Sequence, residues 1–266
     1  MLVLQNISKT FNPGTINEKK ALDGLNLHLR PGDFVTVIGG NGAGKSTMLN
    51  AAAGVWPVDE GRIILDGEDI TALPEHKRAH LIGRVFQDPM MGTAPNMQLE
   101  ENLALAARRG QRRGLSWGVT NAEREEYHER LKILGLGLED RMTSKVGLLS
   151  GGQRQAVTLL MAVLRKPKLL LLDEHTAALD PGTAAKVLEL SDKIVQENNL
   201  TTLMITHNMK DAIRHGNRLI MMNEGHIILD IEGEEKKKLT KQQLIDMFAQ
   251  KGASIDSDEA LLTKGG

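Results

Sequence analysis

Phe34-Val35-Thr36-Val37-Ile38-Gly39-Gly40-Asn41-Gly42-Ala43-Gly44-Lys45-Ser46-Thr47 decides the fold of this chain. Its first five residues are apolar or β-branched and read as a buried strand. Glycines 39, 40, 42 and 44 then demand a loop, and Lys45 to Val55 are good helix formers that stop before Pro57. Strand, Gly-x-x-x-x-Gly-Lys-Ser and helix in that order form a phosphate-binding loop. Glycines let the backbone wrap closely round phosphates with its N–H groups inward, and the helix start adds a positive dipole end. Lys45 is expected at the β- and γ-phosphates, Ser46 on Mg²⁺ and Thr47 at the α-phosphate. Gly39, Asn41, Gly42, Ala43, Gly44, Lys45, Ser46 and Thr47 are therefore the candidate nucleotide-binding residues.

Outward from this loop, short apolar runs alternate with helical patterns, as in a mainly parallel sheet with crossover helices. Strands are expected from Leu2 onward and at Arg62–Leu65, Ile82–Phe86, Leu169–Leu172, Thr201–Thr206, Arg218–Met222 and His226–Ile231. The four leucines end in Asp173-Glu174. There Asp173 suits the Mg²⁺ shell, and Glu174 suits orienting and deprotonating an attacking water. Between Gly92 and Ala162 the pattern turns helical and charged, with a capping box at Thr120–Glu123 opening a helix that runs through Leu134. Glu234-Glu235-Lys236-Lys237-Lys238 reads as a charged linker. Thr240–Gln243 is a further capping box, ahead of an apolar stripe of Leu244, Ile245, Met247 and Phe248. The stretch from Gly252 is polar and expected to be mobile.

Leu149-Ser150-Gly151-Gly152-Gln153-Arg154-Gln155 lies between the two phosphate motifs. Ser-x-x-Gln is itself a helix-opening capping box, and a helix start is an anion site. The run resembles the signature of ATP-binding cassette (ABC) proteins, and the resemblance extends from about Leu2 to Ile231 with the motifs in family order. It implies an α/β P-loop NTPase (RecA-like) core with a mainly parallel sheet, an N-terminal antiparallel β portion and an inserted α-helical subdomain. The implied ATPase domain is 1–232, with core 1–91 and 163–232 and helical subdomain 92–162, followed by a linker, short helix and tail at 233–266. It further implies a homodimer closing on two ATP–Mg²⁺, with Ser150, Gly151, Gly152 and Gln153 facing the partner's nucleotide. Gln87 matches the family's Q-loop glutamine, touching Mg²⁺ or water, and His207 matches the switch histidine that senses the γ-phosphate. Asp180 lies in the D-loop, although Asp-Pro is also a plain helix cap. Phe11, after Ser8-Lys9-Thr10, matches the aromatic that stacks on adenine.

Lone cassettes of this kind typically energise importers through separate transmembrane permease subunits, with an extracytoplasmic substrate-binding protein, at the cytoplasmic side of the cell membrane. Gln87–Met97 and Gly216–Met222 resemble importer ATPases serving aromatic amino acids. The alternatives left open are the ATPase of an exporter and an ABC scaffold of the iron–sulfur assembly type. A DNA-maintenance or translation-associated cassette is disfavoured, since there is one cassette and no long heptad coiled coil. The chain departs from the family pattern at His175, where a proline usually follows the glutamate, and at Ala156 and Met161 in the signature helix. Histidine for proline loosens a backbone constraint beside Glu174.

Composition narrows the classes further. Formal net charge is −1 over 266 residues, which argues against nucleic acid as a partner, and zero cysteines exclude disulfides and thiol catalysis. The basic cluster Arg108, Arg109, Arg112 and Arg113 is accordingly read as a solvated face, and Trp117 as packing within the helical insertion. No apolar run approaches the roughly 18–20 residues that span a bilayer, and Met1 leads into a strand with no signal-peptide pattern.

Overall fold

The computed structural model describes residues 1–111 and 118–250, so Arg112, Arg113, Trp117 and the stretch from Gly252 lie outside the described residues. Residues 1–78 hold β1 (Leu2–Phe11), β2 (Lys19–Leu29), β3 (Phe34–Gly39), α1 (Lys45–Ala53), β4 (Glu60–Leu65), β5 (Glu68–Asp69) and α2 (Glu75–Arg78). Residues 79–198 hold β6 (Ile82–Val85), α3 (Leu99–Ala107), α4 (Asn121–Lys132), α5 (Gly151–Val163), β7 (Leu169–Asp173) and α6 (Pro181–Asn198). The remainder adds β8 (Thr202–Ile205), α7 (Met209–Arg214), β9 (Arg218–Asn223), β10 (His226–Glu232), α8 (Gly233–Lys238) and α9 (Lys241–Gln250). These elements form two compact units, Met1–Arg78 with the segment from Asn199 on, and Ala79–Asn198.

In the first unit, β3 lies parallel to both β8 and β9, and all six of its residues are buried. A strand covered on both faces needs an unbroken apolar run, which Phe34–Ile38 supplies. β9 and β10 form a hairpin across Glu224-Gly225, both at positive φ, the geometry that matches strand twist. The antiparallel sheet, in the order β2-β1-β4-β5, buries Leu2 and Leu4 on β1 and Leu25, Leu27 and Leu29 on β2. β2 was not among the strands expected. Asp23-Gly24 and register shifts at Leu4/Ile7 and Ile7/Lys9 interrupt the alternation that would reveal it.

The stretch expected to be a charged linker is a helix. In α8, Lys236 is 2% exposed, its ammonium donating to the carbonyls of His215 and Gly216 just past the end of α7. A cation there complements the negative end of the helix dipole. The Thr240–Gln243 box opens α9, whose Leu244 and Phe248 join Ile38, Met209, Leu219, Met221 and Ile231 in one cluster.

In the second unit, β6 and β7 pair in parallel, Ile82 opposite Leu169 and Val85 opposite Leu172. The helical stretch holds α3, α4 and most of α5. The Thr120–Glu123 box is formed and opens α4, which ends at Lys132, short of Leu134, with Gly135 at φ +64°. Of the basic cluster, Arg108 pairs with Glu123 at 2.9 Å and Arg109 donates to the Ala162 carbonyl at 3.0 Å, so both turn inward onto protein partners.

Candidate functional site

The first unit carries a phosphate cradle. Between β3 and α1 the backbone turns through conformations open to glycine: Gly44 sits at φ +98°, where a Cβ would stand 2.5 Å from the Ala21 carbonyl oxygen. At Gly39 a Cβ would lie 2.2 Å from the Met222 carbonyl oxygen. No side chain caps α1, whose N-cap is Gly44, so the helix start is left for a ligand's anion. Lys45, only 5% exposed, folds back and donates to the carbonyls of Gly39 and Gly40, the latter at 2.9 Å. Ser46 is exposed and Thr47 half-buried beside it. The far end of α1 is fixed by Arg78, 2% exposed, which donates to the carbonyls of Ala51 and Ala52 at 2.8 and 2.9 Å and also to those of Leu73 and Thr71.

Phe11 ends β1, half-buried, with its ring packed edge-on to Trp56 at 5.0 Å between centroids and 82° between planes. Lys9 lies 5.8 Å from the same ring and pairs with Asp59, which also accepts the Thr10 N–H. Sequence reasoning missed Trp56 and Arg78, because each acts through partners far away in the chain. His207 follows β8, and the Thr206 N–H bonds the Val37 carbonyl at 3.1 Å. β8 being the parallel neighbour of β3, His207 leaves the sheet at the edge where the Gly39–Thr47 loop begins, the C-terminal edge where α/β sheets take ligands.

The second unit brings Gln87, Asp173 and Glu174 to the C-terminal ends of the parallel pair β6 and β7. The Asp173 carboxylate accepts from Arg84 at 3.4 Å, and that guanidinium lies over the Phe86 ring at 4.5 Å. The Phe86 carbonyl accepts from the fully buried Gln155 amide at 3.1 Å, tying the root of exposed Gln87 to α5. Glu174 stands at φ +47°, left-handed backbone that a residue with a Cβ adopts at a cost of about 1–2 kcal/mol. Ser150 caps α5: its hydroxyl accepts the Gln153 N–H at 3.3 Å, and the Gln153 side chain accepts the Ser150 N–H at 3.1 Å. Gly151 is exposed. Gly152 is buried, and a Cβ there would stand 2.1 Å from Thr183 Cγ2 on α6. Asp180 accepts the Thr183 N–H at 3.0 Å, and the Thr183 hydroxyl and backbone hold its carboxyl below the usual carboxylate range.

A glycine cradle with a buried lysine, and an aspartate–glutamate pair ending a β-strand, define a P-loop nucleoside triphosphatase. The family model described as ABC transporter matches residues 22–177, and the chain belongs to that family. It is 45% identical to the tyrosine transport ATP-binding protein of Clostridioides difficile over 93% of this chain and 98% of that one. It is 34% identical to a spermidine/putrescine import ATP-binding protein of Pasteurella multocida, spanning 93% of this chain and 62% of that longer protein. Among solved structures, a dimeric ATP-binding cassette in a post-hydrolysis state, bound to ADP and Pi, superposes with a TM-score of 0.74. The identity there is 31%, covering 87% of this chain and 98% of that one. The chain is an import-type ABC transporter ATPase.

Proposed function

We propose that this chain binds and hydrolyses ATP to energise uptake of an amino acid, tyrosine or another aromatic one, through separate permease subunits. The observation that carries the hydrolytic part is the cradle: Lys45 is held among Gly39 and Gly40 carbonyls, and α1 starts uncapped. An incoming triphosphate offers the ammonium better acceptors than neutral carbonyls. Asn41, Gly42, Ala43 and Thr47 complete the contact with the phosphates, and Phe11 stacks on the base. Glu174 takes the proton of the attacking water, Gln87 orients that water, and His207 contacts the γ-phosphate. The Ser46 hydroxyl, the Asp173 carboxylate and the Gln87 side chain are hard oxygen donors of the kind Mg²⁺ accepts alongside phosphates and water. When bound, the ion would neutralise charge developing on the phosphates.

Ser150, Gly151, Gly152 and Gln153 at the start of α5, with Asp180, act across a homodimer on the partner's nucleotide. The dimeric cassette supports this reading. Residues 92–162 serve as the inserted helical subdomain. Docking onto a permease at the cytoplasmic face of the membrane is supported by exposed apolar residues of the second unit, Met91 at 70% and Leu148 at 72%. An extracytoplasmic binding protein completes the importer, and the amino-acid substrate rests on similarity to the tyrosine transport protein.

Glu174→Gln tests the mechanism. Hydrolysis is expected to fall at least about a hundredfold, as loss of a general base does, while ATP binding persists and an ATP-bound dimer accumulates in size-exclusion chromatography. An active, monomeric variant refutes the role given to Glu174. Affinity capture from native membranes in mild detergent tests the transport reading, which requires a multi-span permease in stoichiometric yield.

A further inference from the structure

We propose that His175 and Ser191 form a latch that holds the Glu174 carboxylate in its working position, which makes both of them positioning residues for hydrolysis. The inference rests on Glu174 being the general base. Glu174 sits in left-handed backbone at φ +47°, and such a conformation persists only where its surroundings over-determine it. On its N-terminal side the chain is fixed by the pairing of β7 with β6, up to Leu172 opposite Val85. On its C-terminal side a proline would restrict φ through its ring, but histidine leaves φ free.

The side chain supplies what the backbone lacks. His175 is 2% exposed, and its Nε2 lies 3.0 Å from the Oγ of Ser191, itself 1% exposed in the middle of α6. The Ser191 hydroxyl has one proton, and it goes to the Val187 carbonyl at 2.8 Å. Ser191 can therefore only accept from the imidazole, which fixes the donor as Nε2–H and the orientation of the ring. A ring so placed cannot follow a relaxing Glu174 without breaking a buried hydrogen bond, which is costly because water does not replace the lost partner. The Glu174 carbonyl accepts the Ala177 N–H at 2.9 Å, closing the turn that contains the latch.

The test compares the full wild-type chain with Ser191→Ala, His175→Ala, the double variant and His175→Gln, whose amide N–H reaches about as far as Nε2. Steady-state ATPase kinetics, mant-ATP affinity and the urea unfolding midpoint are measured for each. Ser191→Ala and His175→Ala are expected to lower kcat by about ten- to a hundredfold, the scale of a small misplacement of a catalytic group. KM and mant-ATP affinity should stay within about twofold, the double variant should be no worse than either single one, and His175→Gln should recover most of kcat. Unchanged kcat in Ser191→Ala overturns the latch. So does a loss of kcat that follows a loss of mant-ATP affinity, since that is a merely structural role; a lower urea midpoint is expected from the lost buried hydrogen bond, and kcat is therefore read where each variant is fully folded. Glu174→Gln run alongside separates the two failures: if it still hydrolyses ATP, the base assignment falls; if it is inactive while Ser191→Ala is normal, only the latch falls.

Discussion

Gly152→Ala is the sharpest probe of how the start of α5 is built. A Cβ at this position would stand 2.1 Å from Thr183 Cγ2, far inside van der Waals contact. The methyl belongs to a β-branched side chain near the start of α6, which has few rotamers through which to yield. Overpacking of this kind costs about 1–3 kcal/mol. Against it, alanine is the better helix former by about 1 kcal/mol. Gly152→Ala alone should therefore destabilise the chain by about 0–2 kcal/mol in urea unfolding at fixed pH, the difference of those two terms. Thr183→Ser removes the offending methyl while keeping the hydroxyl and the N–H that hold Asp180. In that background only the propensity gain remains, so the same Gly152→Ala change should stabilise by up to about 1 kcal/mol. A reversal of sign, with a coupling of about 1–3 kcal/mol, is the expected result of the double-mutant cycle. Equal effects in the two backgrounds would refute the packing argument. The ATPase rate of the double variant carries separate information. If stability returns and hydrolysis does not, Gly152 is needed for its proposed contact with the partner's nucleotide.

Three other substitutions or titrations test the site's supports. Arg78→Met should lower unfolding free energy by about 1–3 kcal/mol, because it leaves the buried carbonyls of Ala51 and Ala52 without their cationic donor; a urea melt within about 0.5 kcal/mol of wild type contradicts this. The chain has two tryptophans. Trp117→Phe leaves Trp56 as the sole indole reporter, and its emission should change on ATP binding if adenine stacks on Phe11, its edge-on neighbour at 5.0 Å. An unchanged spectrum at saturating ATP removes Phe11 from the base site. Tyr127, the single tyrosine, is 1% exposed, and burial, reinforced by the charge of Glu123, pushes its phenol up to about 12. Its folded value is above the unfolded one, so the stability it confers is complete below about pH 10 and lost toward pH 12. Absorbance at 295 nm should show no phenolate before unfolding begins, and a step near pH 10 in the folded chain rules this out.

The sequence showed its parallel core clearly because buried strands leave unbroken apolar runs. Phe34–Ile38 and Leu169–Leu172 could be little else, and each ends in residues whose spacing is chemical. Capping boxes at Thr120, Ser150 and Thr240 were legible for a similar reason: donor and acceptor lie three residues apart. What escaped was long-range. β2 hid behind a Gly and register shifts. Arg78, a residue of unremarkable context, turned out to close the end of a helix by bonding carbonyls 26 and 27 positions upstream. Lys236 misled because a run of two acids and three lysines normally means a solvated face, whereas one of the three lysines is buried on carbonyls of another element. The close approach of Gly152 to Thr183 likewise depends on two helices meeting, which no local pattern records.

The packing of α8 and α9 bears on how this protein can be handled. Leu239, Leu244 and Phe248 share a cluster with Ile38, one residue before the glycine loop, and with Met209 and Ala212 just beyond His207. Trimming to the familiar cassette boundary near residue 232 would strip those side chains from the underside of β3 and uncap α7 at Lys236. Apolar surface opened in that way invites aggregation, and a weak signal from such a fragment would be mistaken for poor nucleotide affinity. Purification handles and fusion partners for biophysical work therefore belong after Gln250, and any shortened variant should be checked for monodispersity before its kinetics are read.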